Sequence, residues 1–316
     1  MARFIVRRLF QAILVLLFVS IFTFLIFQVI PDGTPALRLA GKSATPQTIA
    51  AVVRQWGFDK PIWVQYADMM GRIFTGSVIS YSEHVSVLSQ IERGLPATLS
   101  LAIGAGVIWF LFAVAVGTVS AVRVGRLSDR LLTLLSLTAI STPTFVVGAL
   151  GLYFLAWKVH VFPLSGYVPL SQSVGQWFMH LVLPWSSLSV VYIGMYSRVL
   201  RSTMLDNMHE DYVRTARAKG LPERRVLVRH VLRTSLIPIV SMWGLDFAGV
   251  IGGGAILVEV VFNLNGVGQY AAESIQTLDV PPLLVIVMYG AVLVVVIAAL
   301  VDILYVWLDP RVRLEA

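Results

Sequence analysis

Three ionisable side chains interrupt stretches of sequence that are otherwise apolar: Asp246, Glu259 and Asp302. An ionisable group inside a bilayer costs roughly 2.5–3.5 kcal/mol on insertion scales, so it normally faces a protein interior or water. Asp246 stands near the middle of its apolar stretch, while Glu259 and Asp302 stand nearer the ends. We interpret Asp246 and Glu259 as lining a path for a polar solute and Asp302 as a buried contact between helices. For each residue the other interpretation remains the alternative.

A second polar feature is the pair Ser141-Thr142, which precedes Pro143 in the middle of another apolar stretch. Proline removes a backbone hydrogen bond within a membrane helix, and neighbouring hydroxyl groups can satisfy the carbonyl that it frees. Ser141 and Thr142 are therefore candidates for the surface of the same path. The pattern fits a hinge and a simple kink equally well.

Motifs for catalysis, metal binding and nucleotide binding are not found. The five histidines have no metal-binding spacing, there is no Gly-x-Ser-x-Gly motif, and cysteine is absent. Gly41-Lys42-Ser43 resembles the end of a phosphate-binding loop, but Ala36 stands where that loop needs glycine. We expect no catalytic residue, no metal site and no cofactor in this chain. A channel, or an intramembrane serine hydrolase that uses His160 or His180, remains an alternative.

The elements that carry these residues are predicted to be membrane helices. The chain is 57% apolar and 13% charged with a mean hydropathy of +0.82, whereas soluble domains carry about 25% charged residues. A bilayer core is crossed by about 20 apolar residues in a helix. Six segments meet this requirement and predict an all-α protein with six transmembrane helices: Leu9–Ile30, Ala97–Val122, Leu131–Trp157, Trp177–Tyr196, Leu236–Phe262 and Leu283–Leu308.

The basic residues predict the orientation of these helices. Most of the 24 Lys and Arg residues lie before the first segment, in the second-to-third and fourth-to-fifth connections, and after the last segment. Cytoplasmic loops carry such an excess, so both termini are predicted to be cytoplasmic. This gives four regions: the N-terminus and first helix (1–30), an extracytoplasmic loop (31–96), a five-helix core (97–308) and a cytoplasmic tail (309–316). The net charge of +7 follows from this bias, so lipid and not nucleic acid is the expected partner.

The fourth-to-fifth connection contains a predicted surface helix within residues 206–221. Its acidic residues precede its basic residues, which suits the helix dipole, and Gly220 with Pro222 predicts its end. Val213, Ala216 and Gly220 share a face with small side chains, which would let a partner surface approach closely. A solvated basic loop is the competing interpretation.

Further motifs accompany this segment: Phe4-Ile5-Val6-Arg7-Arg8-Leu9, Lys60-Pro61-Ile62-Trp63-Val64-Gln65-Tyr66, Leu95-Pro96-Ala97-Thr98-Leu99, Ser141-Thr142-Pro143-Thr144-Phe145 and Leu308-Asp309-Pro310-Arg311. Together with residues 210–221, they resemble the dipeptide/oligopeptide branch of ABC-importer permeases over almost the whole chain. Three outer stretches depart from that pattern, so the binding protein and the substrate are less defined: Pro31-Asp32-Gly33-Thr34-Pro35, Gly76-Ser77-Val78-Ile79 and Asn265-Gly266-Val267-Gly268.

The resemblance implies a function and a set of partners. In this family the cytoplasmic helix is a coupling helix that sits in a cleft of an ATPase subunit. The expected partners are a second homologous permease, two ATP-binding subunits that hold ATP and Mg²⁺, and an extracytoplasmic substrate-binding protein, all at a bacterial inner membrane. Short peptides are the expected substrate, with nickel, glutathione or another small solute as alternatives. The residues implied in ATPase coupling are Asp211, Val213, Arg214, Thr215, Ala216, Lys219 and Gly220.

Overall fold

The computed structural model describes residues 2–26, 36 and 45–308, with side chains described from residue 10 to residue 300 except 55 and 56. The side chain of Asp302, the segments 31–35 and 41–43, and the tail 309–316 lie outside the described residues. The described helices are α1 (Ala2–Phe24), α2 (Pro46–Trp56), α3 (Ile62–Thr75), α4 (Val87–Val122), α5 (Leu127–Ser141), α6 (Thr144–Lys158), α7 (Val174–Asn207), α8 (Asp211–Ala218), α9 (Glu223–Gly254), α10 (Ile256–Phe262), α11 (Val267–Thr277) and α12 (Val280–Leu308).

Within the described residues, four helices are long and apolar enough to cross a membrane: α4, α7, α9 and α12. The helices α5 and α6 meet the same criterion when they are taken together. They form a broken span, because they are bent by 100° where they meet. The apolar part of α1, Phe10–Phe24, is shorter than the roughly 20 residues that a helical span needs. The predicted all-helical membrane architecture is therefore confirmed with four or five spans.

The third predicted segment, Leu131–Trp157, is not the continuous helix that we expected. The helix ends at Ser141, Thr142 adopts an extended conformation, and α6 begins after Pro143. Pro143 has no backbone N–H and disfavours helical geometry at the residue before it, which accounts for the break at this position. The bend of 100° is larger than a simple kink.

The core is built on α4 and α7, which make the most extensive contact between any two described helices. Leu101, Trp109 and Leu188 are almost completely buried in this layer. The two backbones approach closely at Gly117, where an added Cβ would lie 2.8 Å from the carbonyl oxygen of Ser197. Small residues permit such close packing between membrane helices.

The helices α2 and α3 follow α1 along the chain. Thr45 caps α2 by accepting a hydrogen bond from the backbone N–H of Thr48, and Gly57 ends the helix with φ of +73°. Thr45-Pro46 is a typical helix start and Gly57 can end a helix, so the sequence alone predicts both bounds of α2, and the structure confirms them. Met69 of α3 packs in a small apolar cluster with side chains of α1 and α12.

The fifth predicted segment, Leu236–Phe262, is also interrupted. A π-helical turn, Val250–Gly254, ends α9, and Gly253 has φ of +135°, which L-residues with side chains rarely adopt. A Cβ on Gly290 of α12 would lie 2.6 Å from the carbonyl oxygen of Gly252, so the two backbones almost touch here. The break borders a cavity of about 130 Å³ that lies among α9, α10, α11 and α12.

Candidate functional site

The predicted surface helix is present as α8. It begins at Asp211, later than expected, because α7 continues through Asn207. Glu210 precedes α8 in an extended conformation, and Asp211 places a negative charge in its first turn, where the helix dipole favours it. The helix within residues 206–221 is therefore confirmed with a shorter extent.

The end of α8 is set by glycine. Lys219 follows the last helical residue, and Gly220 adopts φ of +75°, a left-handed conformation that favours glycine. A Cβ on Gly220 would meet no atom within 4 Å, so backbone conformation and not space requires glycine here.

The small-residue face of α8 is directed into the chain itself. Val213 is fully buried, and Ala216 is buried beside it in a cluster that includes Leu200 and Met204 of α7 and Val226 of α9. This corrects the expectation that Val213 and Ala216 present a close-approach surface to a partner. Their small volume instead lets α8 lie tightly against the end of α7 and the start of α9.

The opposite face of α8 is open to a partner. Asp211, Thr215 and Lys219 are exposed, and 70% of the Arg214 side chain is accessible. Arg214 makes a loose ion pair of 3.4 Å with Asp211, and such exposed pairs contribute little to stability. These side chains are available for contact with another subunit.

A second ion pair joins α8 to α9. The guanidinium of Arg217 donates two hydrogen bonds to the Glu223 carboxylate, at 2.8 and 3.2 Å, and one to the Met208 carbonyl at 3.5 Å. The Glu223 carboxylate raises the pKa of Arg217. Because Glu223 is the first residue of α9, this ion pair connects α8 directly to that membrane helix.

A partly buried ion pair that sequence analysis missed ties α5 to α7. Arg201 donates two parallel hydrogen bonds to the Asp129 carboxylate, at 2.8 and 2.9 Å. The same carboxylate accepts hydrogen bonds from the Ser120 hydroxyl and from the Gly125 N–H. The sequence shows Arg201 only as one of many basic residues in the predicted fourth-to-fifth connection, and nothing in it identifies Asp129 as the partner.

Asp246 lies in α9 and is partly exposed. Its carboxylate accepts a hydrogen bond of 2.6 Å from the hydroxyl of Tyr196, a fully buried residue of α7. Asp246 is thus neither buried nor fully exposed, and its assignment to a translocation path stays a prediction.

Glu259 is placed differently. It is fully buried, and its carboxylate accepts hydrogen bonds from the Thr98 hydroxyl at 2.8 Å and from the Gln269 N–H at 2.9 Å. Gln269 lies in the first turn of α11, so Glu259 satisfies a free backbone donor at that helix start. In this conformation Glu259 supports the junction of α4, α10 and α11, and its assignment to a translocation path stays a prediction.

Ser141 and Thr142 lie at the break between α5 and α6. Ser141 is exposed, and the Thr142 hydroxyl donates a hydrogen bond of 2.8 Å to the carbonyl of Thr138. Thr142 therefore satisfies a carbonyl in the last turn of α5. Their assignment to a translocation path stays a prediction.

A family comparison assigns the chain as a whole. The model of the family described as binding-protein-dependent transport system inner membrane component matches residues 113–314, which is more than half of the chain. The corresponding N-terminal model matches residues 1–102. The chain belongs to this family. It is a multi-pass inner-membrane permease, and its site residues from Asp129 to Glu259 all lie within the matched region 113–314.

This permease is also similar to individual proteins over its full length. It is 36% identical, across 99% of its own length, to the whole of a probable peptide ABC transporter permease of Sinorhizobium fredii. It is 33% identical, again across 99%, to the whole of a dipeptide transport system permease of Lactococcus lactis. Across 100% of its length it is 32% identical to the whole of an oligopeptide transport system permease of Mycobacterium bovis.

A carboxylate at the start of α12 organises another part of the permease that sequence analysis missed. Asp279 is buried and accepts hydrogen bonds from the N–H groups of Tyr81 and Ser82, at 3.0 and 3.1 Å. The hydroxyls of Ser80 and Ser82 donate to it as well. Asp279 lies 197–199 residues after Ser80 and Ser82 along the chain, so only the folded structure brings these groups together.

The serines of α7, His180 and the metal-binding side chains are the residues that an intramembrane hydrolase or a metal site would use. Ser186, Ser187 and Ser189 of α7 donate hydrogen bonds to backbone carbonyls, and the His180 ring contacts the carbonyl of Gln176. In the described part of the permease, no group of three or more Asp, Glu, His or Cys side chains is arranged to hold a metal ion.

Proposed function

We propose that this permease is one subunit of an ATP-driven importer for short peptides and forms half of the translocation path. The observation that carries the proposal is helix α8, which packs against the rest of the chain on one side and is exposed on the other. The chain that contains it is similar to permeases over its full length. The named relatives are permeases for peptides, dipeptides and oligopeptides. Nickel, glutathione or another small solute is the alternative cargo of the same machinery.

The proposed topology has six spans, with both termini in the cytoplasm. The helix α1 supplies the first span, since it is continuous over 23 residues from Ala2 to Phe24 and the apolar sequence continues to Ile30. Basic residues flank the cytoplasmic ends of the spans, in accord with the positive-inside rule. This orientation places α8 in the cytoplasm and Asp279 at the outer face.

The exposed face of α8 is the proposed dock for an ATP-binding subunit. ATP and Mg²⁺ are bound by two such subunits, and this chain has no ATPase activity of its own. A second homologous permease completes the path, and a substrate-binding protein delivers the cargo at the outer face. The ion pair Arg217–Glu223 transmits the movement of α8 to α9, and α9 carries Asp246.

Reconstitution into liposomes with the partner subunits tests the proposal. The tagged permease is first purified from its native membrane in mild detergent, and the subunits recovered with it are identified. We expect a second permease, ATP-binding subunits and a binding protein. ATP-driven uptake of labelled dialanine is then compared with uptake of glutathione and Ni²⁺. Uptake of Ni²⁺ or glutathione alone would overturn the peptide assignment.

A substitution on the open face of α8 tests the docking role directly. We expect Thr215→Trp to lower ATP-driven uptake at least tenfold and to weaken recovery of the ATP-binding subunits. The matched control is Val124→Trp, which places the same side chain at an exposed position in a different cytoplasmic connection. Full coupled transport by Thr215→Trp would contradict the proposed dock.

A further inference from the structure

We propose that Asp246 binds a primary ammonium group of the transported solute at the middle of the membrane. The inference rests on the proposed function, because an unmodified peptide carries an ammonium group at its N-terminus. It adds a defined subsite and a charge preference to the path. Three features of the described residues carry it: an open carboxylate, the absence of an internal cation, and a set of aromatic rings.

The first feature is the hydrogen bonding of the carboxylate. Tyr196 is held in the core of α7 and donates its hydroxyl to Oδ2 of Asp246 at 2.6 Å. Within the described part of the chain, this is the only hydrogen bond to the Asp246 carboxylate, and no Lys or Arg forms an ion pair with it. Oδ1 is therefore left as an acceptor on a side chain that is partly exposed. Tyr196 orients the carboxylate and leaves it free to bind.

The second feature is the lack of a counter-charge in the surrounding sequence. The six predicted apolar segments contain three carboxyl groups and not one Lys or Arg. Ionisable groups at membrane depth normally pair with each other or face water. The apolar segments thus offer Asp246 no Lys or Arg as a counter-charge. A solute that enters from water and carries a positive charge would supply it.

The third feature is the aromatic composition around this level of the helix bundle. Trp243 and Phe247 flank Asp246 on α9 and stack with their ring centroids 5.0 Å apart. The indole N–H of Trp243 donates to the carbonyl of Gly106 at 2.9 Å, which fixes its ring against α4. On α7, Tyr192 lies one turn before Tyr196, with ring centroids 6.4 Å apart. Organic ammonium groups bind favourably to aromatic faces.

The same features argue for an ammonium group over a divalent metal ion. Metal ions with oxygen ligands take several carboxylate or carbonyl oxygens at once. The described residues provide no cluster of three or more metal-binding side chains, and Asp246 stands alone at its depth. There is also room for a ligand close by, since a Cβ on Gly249, one turn beyond Asp246, would meet no atom within 4 Å.

Transport by variants of the reconstituted complex provides the first test, with trialanine as the probe. We expect Asp246→Asn to lower uptake at subsaturating peptide at least tenfold, while the loaded binding protein still stimulates ATP hydrolysis. Asp246→Glu should retain more uptake than Asp246→Asn because it keeps the carboxylate. Leu245→Asn, an exposed neighbour on the same helix, should leave uptake near the wild-type level. Wild-type uptake by Asp246→Asn would overturn the proposal.

Thiol chemistry provides a second test that does not depend on transport. The natural chain contains no cysteine, so Gly249→Cys introduces a unique thiol one turn from Asp246 in this subunit. In the assembled complex, with any partner cysteines replaced, we expect a cationic methanethiosulfonate to react several-fold faster than an anionic one. Replacing Asp246 with Asn should bring this ratio close to one, and trialanine should slow the reaction.

The two tests separate the site from the proposed function. A cation preference that depends on Asp246, in a complex that takes up no peptide, would support the ammonium site and overturn the peptide assignment. Peptide uptake by a complex in which the thiol is unreactive, or shows no dependence on Asp246, would overturn the ammonium site alone. An unreactive thiol, or a reaction that does not depend on Asp246, is expected if the second permease already supplies a positive charge to Asp246.

Discussion

Asp129 and Asp246 are both carboxylates within the helical bundle, but the chain treats them in opposite ways. Asp129 has a side chain only 6% exposed and is surrounded by donors from α4, α7 and the turn between α4 and α5. The Asp246 carboxylate accepts a single hydrogen bond, from Tyr196, among the described residues. A buried charge that serves the fold is satisfied by the chain itself. A charge left partly unsatisfied is available to another molecule.

Glu259 and Asp279 belong with Asp129 in this comparison. Glu259 is satisfied by Thr98 and the start of α11, and Asp279 by the turn that contains Tyr81 and Ser82. Each is buried and connects parts of the chain that are far apart in sequence. Burial with complete hydrogen bonding therefore separates three structural carboxylates from Asp246.

The largest loss of stability is expected when one partner of the partly buried Asp129–Arg201 ion pair is removed. Asp129→Ala leaves the Arg201 guanidinium without its acceptor, and breaking a buried pair costs about 3–5 kcal/mol. We expect about 3 kcal/mol, the lower end, because the Arg201 side chain is 29% exposed. The free energy of unfolding in detergent, or the yield of folded protein, measures the effect.

The paired replacement Asp129→Leu with Arg201→Met is the control for that experiment. Replacing both charges with apolar side chains of similar size is often neutral, because no charge is left without a partner. The double variant should therefore be more stable than Asp129→Ala. If both proteins lose the same stability, the ion pair is not the cause and the assignment of Asp129 to the structural group fails.

A smaller loss is expected at Glu259. Glu259→Ala leaves the Gln269 N–H and the Thr98 hydroxyl without their acceptor, and an unsatisfied buried polar group costs about 1–3 kcal/mol. Glu259→Gln keeps one acceptor oxygen and should lose less. Thermal unfolding together with hydrogen exchange at the start of α11 measures both variants. If Glu259→Gln loses transport without any loss of stability, the result would support the assignment of Glu259 to the translocation path.

Most of the helices could be predicted from the sequence, because apolar length and helix stop signals are local properties. The extent of α2 followed from Thr45-Pro46 and Gly57, and α8 followed from its charges and Gly220. The breaks at Pro143 and Gly253 were not predicted as breaks. A proline or glycine tolerated within a continuous span looks the same in sequence as one that interrupts it.

The functional residues were harder to predict because their roles depend on which side chains meet in space. Val213 and Ala216 have the small volume of a docking face, but the same volume suits the internal contact that they make. Asp129 carries no local signal, since its partner Arg201 lies 72 residues further along the chain. Asp246 could be selected as a candidate because an acidic residue in the middle of an apolar segment is itself unusual.

Gly220 tests whether the end of α8 serves coupling as well as folding. Gly220→Ala must keep a left-handed conformation, which costs an L-residue roughly 1–2 kcal/mol. Gly125→Ala is the matched control, because Gly125 is cytoplasmic in the proposed topology and has nearly the same φ, +77° against +75°. We expect similar small losses of stability, with reduced ATP-coupled uptake only for Gly220→Ala. Equal uptake by the two variants would argue that the end of α8 has no special role in coupling.

The smallest effect is expected at the exposed ion pair Lys60–Asp68, which has a geometry as short as the buried one, at 2.8 Å. The Lys60 ammonium lowers the pKa of Asp68. The stabilisation from this ion pair is therefore present above the pKa that Asp68 has in the unfolded chain. It is lost as the pH falls through the pKa that Asp68 has in the folded chain. Both side chains are about half exposed, so water already solvates the two charges well. Lys60→Met should leave the unfolding temperature at pH 7 close to that of the wild type. A loss as large as that of Asp129→Ala would show that distance, and not burial, decides what these carboxylates contribute.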